Sequence, residues 1–193
     1  MSSVKRIVLT GAPSSGKSSV MAEIQKRQWP HVALVPESAV VLLSGGFPAP
    51  QHHDIEQIRS FQNVILTLQS HLEQVIARQN PAAKYLVLDR ARLDGAGFWS
   101  LGVQDYLQQF QVSKSDEYSR YDQIIFLGLP TDEFFEGVNE RRFHNFEQSQ
   151  QSEKQLLEVW SGHPNFHFVP AERDFNVKVE NVLSLIQQSM LSS

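Results

Sequence analysis

The stretch VLTGAPSSGKSSV, residues 8–20, decides how the rest of the chain is read. Gly11-Ala12-Pro13-Ser14-Ser15-Gly16-Lys17-Ser18 fits the pattern G-x-x-x-x-G-K-[ST] at every fixed position. A β-branched apolar run precedes it and a segment of helical period follows, which is the strand, loop and helix setting that the pattern requires. Gly11 and Gly16 let the backbone turn successive N–H groups toward phosphate oxygens, and the start of the helix adds its partial positive charge. Lys17 is spaced to reach the β- and γ-phosphates, and the Ser18 hydroxyl is the expected Mg²⁺ ligand. The expected cradle comprises Gly11, Ala12, Pro13, Ser14, Ser15, Gly16, Lys17, Ser18 and Ser19. The competing reading is a serine-rich turn that merely leads into a helix.

Working outward, apolar runs alternate with longer segments of helical period, the pattern of a parallel sheet covered by helices. Strands are expected at RIVLTG (6–11), VALVPE (32–37), KYLVLD (84–89), YDQIIFLGLP (121–130) and FHFVP (166–170). Helices are expected at 16–28, around SAVVLL, from Asp54 to Gln79, at 99–110 and over about 175–190. In the long one, Ile55, Ile58, Phe61, Ile65, Leu68, Leu72, Val75 and Ile76 recur at three and four, so this face is expected to meet the core. SGGFPAPQHH (44–53) has turn chemistry without periodicity and reads as the most mobile loop. EQSQQSEKQ (147–155) reads as the exposed start of a helix, and no repeat or internal boundary is visible, so residues 1–193 are expected to form one domain.

Composition narrows the classes of partner. With 193 residues, 41% hydrophobic, the chain can build one substantial core. A net charge of -4 gives no bulk attraction to a polyanion, and the densest basic cluster is Arg141-Arg142, so no nucleic-acid partner is expected. The absence of cysteine excludes disulfides and thiolate zinc sites. No run approaches the roughly 20 apolar residues that a bilayer requires, so the expectation is a cytoplasmic protein without a membrane partner.

Three further positions bear on the chemistry. Asp89 ends YLVLD, where a carboxylate at the C-terminal edge of a parallel sheet faces the same crevice as the glycine loop and can hold Mg²⁺ through water. Its alternative role is to cap the following turn. Glu37 follows Pro36 at the end of the second strand and reads either as a substrate or metal-water ligand or as an exposed turn residue. In TDEFFEGVNERRFHNFEQS, Arg141 or Arg142 brought over a γ-phosphate would offset the charge that develops in transfer. The alternative is a solvated helix face.

With this loop, VPES (35–38), LDR (88–90) and the arginine segment in this order, the chain resembles P-loop kinases. Among them it is most similar to the AAA-type ATPase family typified by the nicotinamide riboside kinase domain of the bacterial regulator NadR. The resemblance runs from Arg6 to about Ile186. It implies a three-layer α/β/α P-loop NTPase with a five-stranded parallel sheet in the order 2-3-1-4-5. It also implies a substrate side near Glu37, residues 45–62 and Asp89, and a lid carrying Arg141 or Arg142. FVPAERDF (168–175) is similar to the segment that lies near the nucleobase in such kinases. Two departures stand out: Ala91 replaces the glycine that usually follows Asp-Arg, and Ser14-Ser15 stands where relatives commonly have Gly and Ser or Thr.

Rival classes fit less well. SKSD (113–116) and DGAG (94–97) mimic guanine-binding and switch motifs of regulatory GTPases, but the first precedes a strand and Asp94 lies five residues beyond Asp89. They read as a helix-end cluster and a turn, with Asp94 lining the substrate side. HHD (52–54), His144, His163 and His167 show no zinc-site spacing. Trp29, Trp99 and Trp160 read as core or lid packing. The expected activity is an Mg²⁺-dependent phosphotransferase acting on a small hydroxyl-bearing molecule, with ATP as donor and GTP as the open alternative. In it Lys17, Glu37, Asp89, Arg141 and Arg142 would carry the chemistry, with Ser18 and Asp89 at the metal. The runner-up is a nucleotide-dependent switch that holds a protein partner through the 44–53 loop.

Overall fold

The computed structural model describes residues 4–51, 54–130 and 146–191. Arg141, Arg142 and the expected lid lie outside the described residues, as do His52, His53 and His144. Along the chain run β1 (Lys5–Thr10), α1 (Lys17–Arg27), β2 (Val32–Val35), α2 (Ser38–Ser44), α3 (Ile55–Gln79) and β3 (Tyr85–Asp89). A 3-10 segment (Arg92–Phe98) follows, then α4 (Val103–Gln109), α5 (Lys114–Tyr118), β4 (Gln123–Leu127), α6 (Phe146–Trp160), β5 (Phe166–Val169) and α7 (Phe175–Leu191).

The five strands form one sheet in the order β2-β3-β1-β4-β5, with every neighbouring pair parallel. This is the order implied by the family resemblance. Side chains of successive strand residues leave opposite faces, and the core divides accordingly. Val8, Leu86, Leu88, Ile124 and Phe126 pack with Trp99, Tyr106, Leu156 and Trp160 on one side. Ile7, Leu9, Val87, Ile125 and Leu127 pack with Val20 and Ile24 of α1 and Val182, Leu183 and Ile186 of α7 on the other. Covering both faces explains why β4 is buried at all five positions and reads, after Gln123, as the apolar run Ile124–Leu127. Each fully buried aliphatic side chain contributes ~1.5–3 kcal/mol.

Register brings the strand ends level. Leu9 pairs with Asp89 and Thr10 with Phe126, so the ends of β1, β3 and β4 open on one edge of the sheet, where the glycine loop begins.

Three local expectations are corrected. DGAG, expected as a turn with Asp94 on the substrate side, lies in the 3-10 segment with Asp94, Gly95, Ala96 and Gly97 buried. A Cβ at Gly97 would fall 2.4 Å from Leu156 Cγ, so α6 packs where only glycine leaves room. The buried face of α3 is also less apolar than its spacing suggests. Phe61 and Leu66 are buried together with Gln62, Gln69 and Glu73, whereas Val75 is 46% exposed. Glu73 is retained there because Arg6 and Arg120 each come within 3.4 Å and the Tyr121 hydroxyl donates to it at 3.2 Å. Finally, Ser149 and Ser152 of the polar stretch 147–155 are buried, small side chains on the inner face of α6. Asp54 behaves as its position suggests, capping α3 by accepting from the N–H groups of Glu56 and Gln57.

Candidate functional site

The glycine loop needs backbone conformations that side chains resist. Gly11 has φ +147°, and a Cβ there would fall 2.4 Å from the Leu127 carbonyl oxygen. Gly16 has φ +97°, with the Phe175 ring 2.5 Å from where its Cβ would stand. Ser14 adopts φ +68°, a left-handed conformation that costs an L-residue on the order of 1–2 kcal/mol. The turn closes through Ser15 N–H donating to Ala12 O at 3.2 Å. The Ser14 and Ser15 hydroxyl oxygens are buried without a hydrogen-bond partner among the described residues.

Lys17, the first residue of α1, is buried, and its ammonium stands 3.5 Å from Asp89 Oδ1 and 4.0 Å from Glu37 Oε2. Three residues singled out in sequence thus meet at the mouth of the loop from three elements: the start of α1, the end of β3 and the residue that precedes α2. Ser18 and Ser19 are exposed beside them. Asp89 Oδ1 is buried and accepts no hydrogen bond among the described residues. Burial would raise the Glu37 carboxyl, but Arg90 and Lys17 outweigh it and hold its pKa below the usual range, so Glu37 is ionised at neutral pH.

Arg90 organises this cluster. Its guanidinium lies 3.2 Å from Glu37 Oε1 and 3.2 Å from Asp94 Oδ2, donates to Gly11 O at 3.0 Å and covers the Phe98 ring at 4.9 Å. Its backbone is left-handed, φ +73°. The Arg90 carbonyl in turn accepts from Gln69 Nε2 at 3.3 Å, and Gln69 Oε1 accepts from the Ser38 hydroxyl. Buried Gln69 therefore ties Arg90 to the first residue of α2, next to Glu37.

Asp94 does not line the substrate side. It is buried beneath the loop, where it accepts from Thr10 Oγ1 at 2.7 Å and Trp160 Nε1 at 2.8 Å as well as pairing with Arg90. Burial pushes its carboxyl above the usual range against the opposing pull of those three partners. Two contributors had not been singled out. Lys178 of α7 is buried and donates to Ser15 O at 2.8 Å and Gly128 O at 2.5 Å. The sequence signal was available, because Lys178 falls on the same helical face as Val182 and Ile186. Arg90 stands in LDR, and no local pattern in the sequence announces that its side chain spans three elements.

The described histidines are engaged in structural contacts where their partners are seen. His163 is buried and spent on Tyr121 O at 3.0 Å and Asn165 N–H at 3.1 Å, and no cluster of three or more potential metal ligands occurs among His, Cys, Asp and Glu of the described residues. Trp99 and Trp160 are core residues. No helix among the described residues is long and apolar enough to cross a membrane.

The profile of a family described as AAA domain matches residues 6–175. No curated protein sequence matches the chain. Among solved structures, deoxyadenosine kinase from M. mycoides, solved with bound dATP, is similar with a TM-score of 0.62. The match covers 95% of this chain and 99% of that one at 19% identity, a likeness of fold.

Proposed function

The chain belongs to the AAA domain family, and from that premise we propose that it is a nucleoside-kinase-like phosphotransferase, one P-loop domain that uses ATP as donor. The observation that carries the reading is the convergence of Lys17, Asp89 and Glu37 within 4.0 Å at the loop mouth. A nucleotide switch also keeps one strand-end carboxylate for its magnesium ion, so it is the second carboxylate, Glu37, that favours an enzyme with an acceptor hydroxyl to manage.

In this proposal the backbone of residues 11–19 receives the phosphates and Lys17 offsets γ-phosphate charge. Glu37, ionised and held by Arg90, accepts the acceptor's hydroxyl proton in a hydrogen bond and orients its oxygen. A lowered pKa makes it a weak base, so positioning dominates its contribution. Asp89 is the second candidate for that proton. Magnesium ion would be held by the Ser18 hydroxyl and Asp89. The fit is supported by the buried Asp89 Oδ1, which faces the Lys17 ammonium at 3.5 Å and accepts no hydrogen bond among the described residues, and by the hard-oxygen character of both donors. Bound there, it would neutralise charge on the phosphate oxygens. Arg141 or Arg142 would supply the lid cation. The acceptor is a small hydroxyl-bearing molecule, and nucleosides come first because the fold is that of a nucleoside kinase.

The test is transfer of label from γ-labelled ATP to a panel of nucleosides, cofactor precursors and sugars. Labelled product with the native chain and none with Lys17→Ala is the expected result. ATP bound but no acceptor labelled, with affinity for a protein partner changing on nucleotide addition, would replace the kinase reading with the switch.

A further inference from the structure

Lys178 is an expensive residue where it stands. It is 3% exposed, and it is the fourth residue of α7, where a cation opposes the positive end of the helix dipole. Both effects disfavour the ammonium, and burial draws its pKa down to about 8. Among the described residues, the charged groups bearing on it are Glu153 of α6 and Glu172 of the β5–α7 connection, and both favour the ammonium.

Its hydrogen bonds are placed where they can set loop geometry. A peptide group is planar and trans, so its carbonyl and the following N–H point in opposite directions. Fixing Ser15 O on the Lys178 ammonium at 2.8 Å turns the Gly16 N–H away from α7, toward the phosphate side of the loop. The second bond behaves alike: Gly128 O accepts from Lys178 at 2.5 Å, and the Leu129 N–H on the other side of that peptide donates to Glu153 Oε1 at 2.7 Å. Gly16 is also where the Phe175 ring, one turn earlier on α7, rests against the loop. The start of α7 thus braces the loop from behind at two adjacent peptides.

We propose that Lys178 is a positioning residue whose ammonium, held between the Ser15 and Gly128 carbonyls, presets the phosphate loop for nucleotide and makes nucleotide affinity depend on its protonation. The proposal rests on the nucleotide-binding reading of the loop. Loss of the ammonium's charge weakens both bonds to the carbonyls, because a charge-assisted hydrogen bond is about twice as strong as a neutral one. The loop then has to be ordered at the expense of nucleotide binding. ATP itself does not obscure the effect: the second ionisation of a terminal phosphate lies near about 6, well below the window concerned.

The experiment is calorimetric titration of ATP with magnesium between pH 7 and 9.5 into the native chain, Lys178→Met and Lys178→Arg. At pH 7 Lys178→Met should bind about tenfold more weakly than the native chain, and the gap should close as the native affinity falls through pH 8. Lys178→Arg, charged throughout, should hold its affinity across the range. Equal affinities of native and Lys178→Met at pH 7, or a gap independent of pH, would overturn the proposal. Should Lys178→Met fail to fold, the side-chain amine of Lys178 in the native chain can be titrated by NMR, assigned by its loss in Lys178→Arg. Its pKa should rise when ATP saturates the protein, and an unmoved pKa would overturn the proposal. A native chain that binds no ATP at all would overturn this proposal and the nucleotide reading together, whereas ATP bound with a pH-independent gap removes only the role of Lys178.

Discussion

Arg90 Nη1 donates to the carbonyl oxygen of Gly11 at 3.0 Å, tying the residue after β3 to the first residue of the phosphate loop. The same guanidinium meets Glu37 and Asp94, so one cation aligns the loop, the Glu37 carboxylate and the buried carboxyl beneath them. Disturbing any one of these partners should therefore be felt at the others, and the first two substitutions below test that coupling.

Asp94→Ala should destabilise the protein by about 3 kcal/mol or more. It leaves the buried Thr10 hydroxyl and Trp160 indole N–H without their acceptor and removes one of the partners of Arg90. Urea unfolding would measure it. Asp94→Asn keeps the shape and should cost less. A loss below about 1 kcal/mol for the alanine variant would mean that water replaces the carboxyl at no penalty.

Glu37→Gln should change the response to acid. The Glu37 pKa is lowered in the folded protein, so its ion pairs with Arg90 and Lys17 contribute fully above the unfolded carboxyl value of 4.5. That contribution is lost as pH falls through the lower folded value. The stability advantage of the native chain over Glu37→Gln, about 1–2 kcal/mol at pH 7, should shrink below pH 4.5. An advantage that grew on acidification would contradict the sign.

Gly16→Ala combines a strained dihedral, φ +97°, with a clash against the Phe175 ring. ATP affinity should fall between about fivefold and about 150-fold, from loop strain on the order of 1–3 kcal/mol. Adding Phe175→Ala should restore only part of it, since the second change relieves the contact and leaves the dihedral. Full recovery in the double variant would assign the whole effect to the ring.

Asp89→Asn should raise the magnesium concentration needed for half-maximal phosphoryl transfer by about tenfold or more, because an amide oxygen replaces a carboxylate at the proposed ion. Its Lys17 partner remains to bind phosphate, so ATP affinity without magnesium should change less. An unaltered magnesium requirement would remove Asp89 from the ion.

The phosphate loop and most of the framework around it are legible in the amino-acid order alone. The loop is made by eight consecutive residues, and its two glycines and lysine carry their meaning through local backbone geometry, here φ +147° and +97° at Gly11 and Gly16. The strands were legible because both faces of the sheet are covered, which writes an apolar run such as Ile124–Leu127 of β4 into the chain. Asp89 and Glu37 were legible because strand ends on one edge of a parallel sheet converge. How these groups are held follows from contacts between elements far apart in the chain. Lys178 is 163 positions from Ser15, and Trp160 is 66 from Asp94, so neither pairing leaves a local trace. The same reason explains the misread DGAG stretch and the polar face of α3. A glycine pressed against Leu156 and a glutamate buried among two arginines and a tyrosine are dictated by elements distant in sequence. Local spacing records the period of a helix or strand; what that face meets is set by packing.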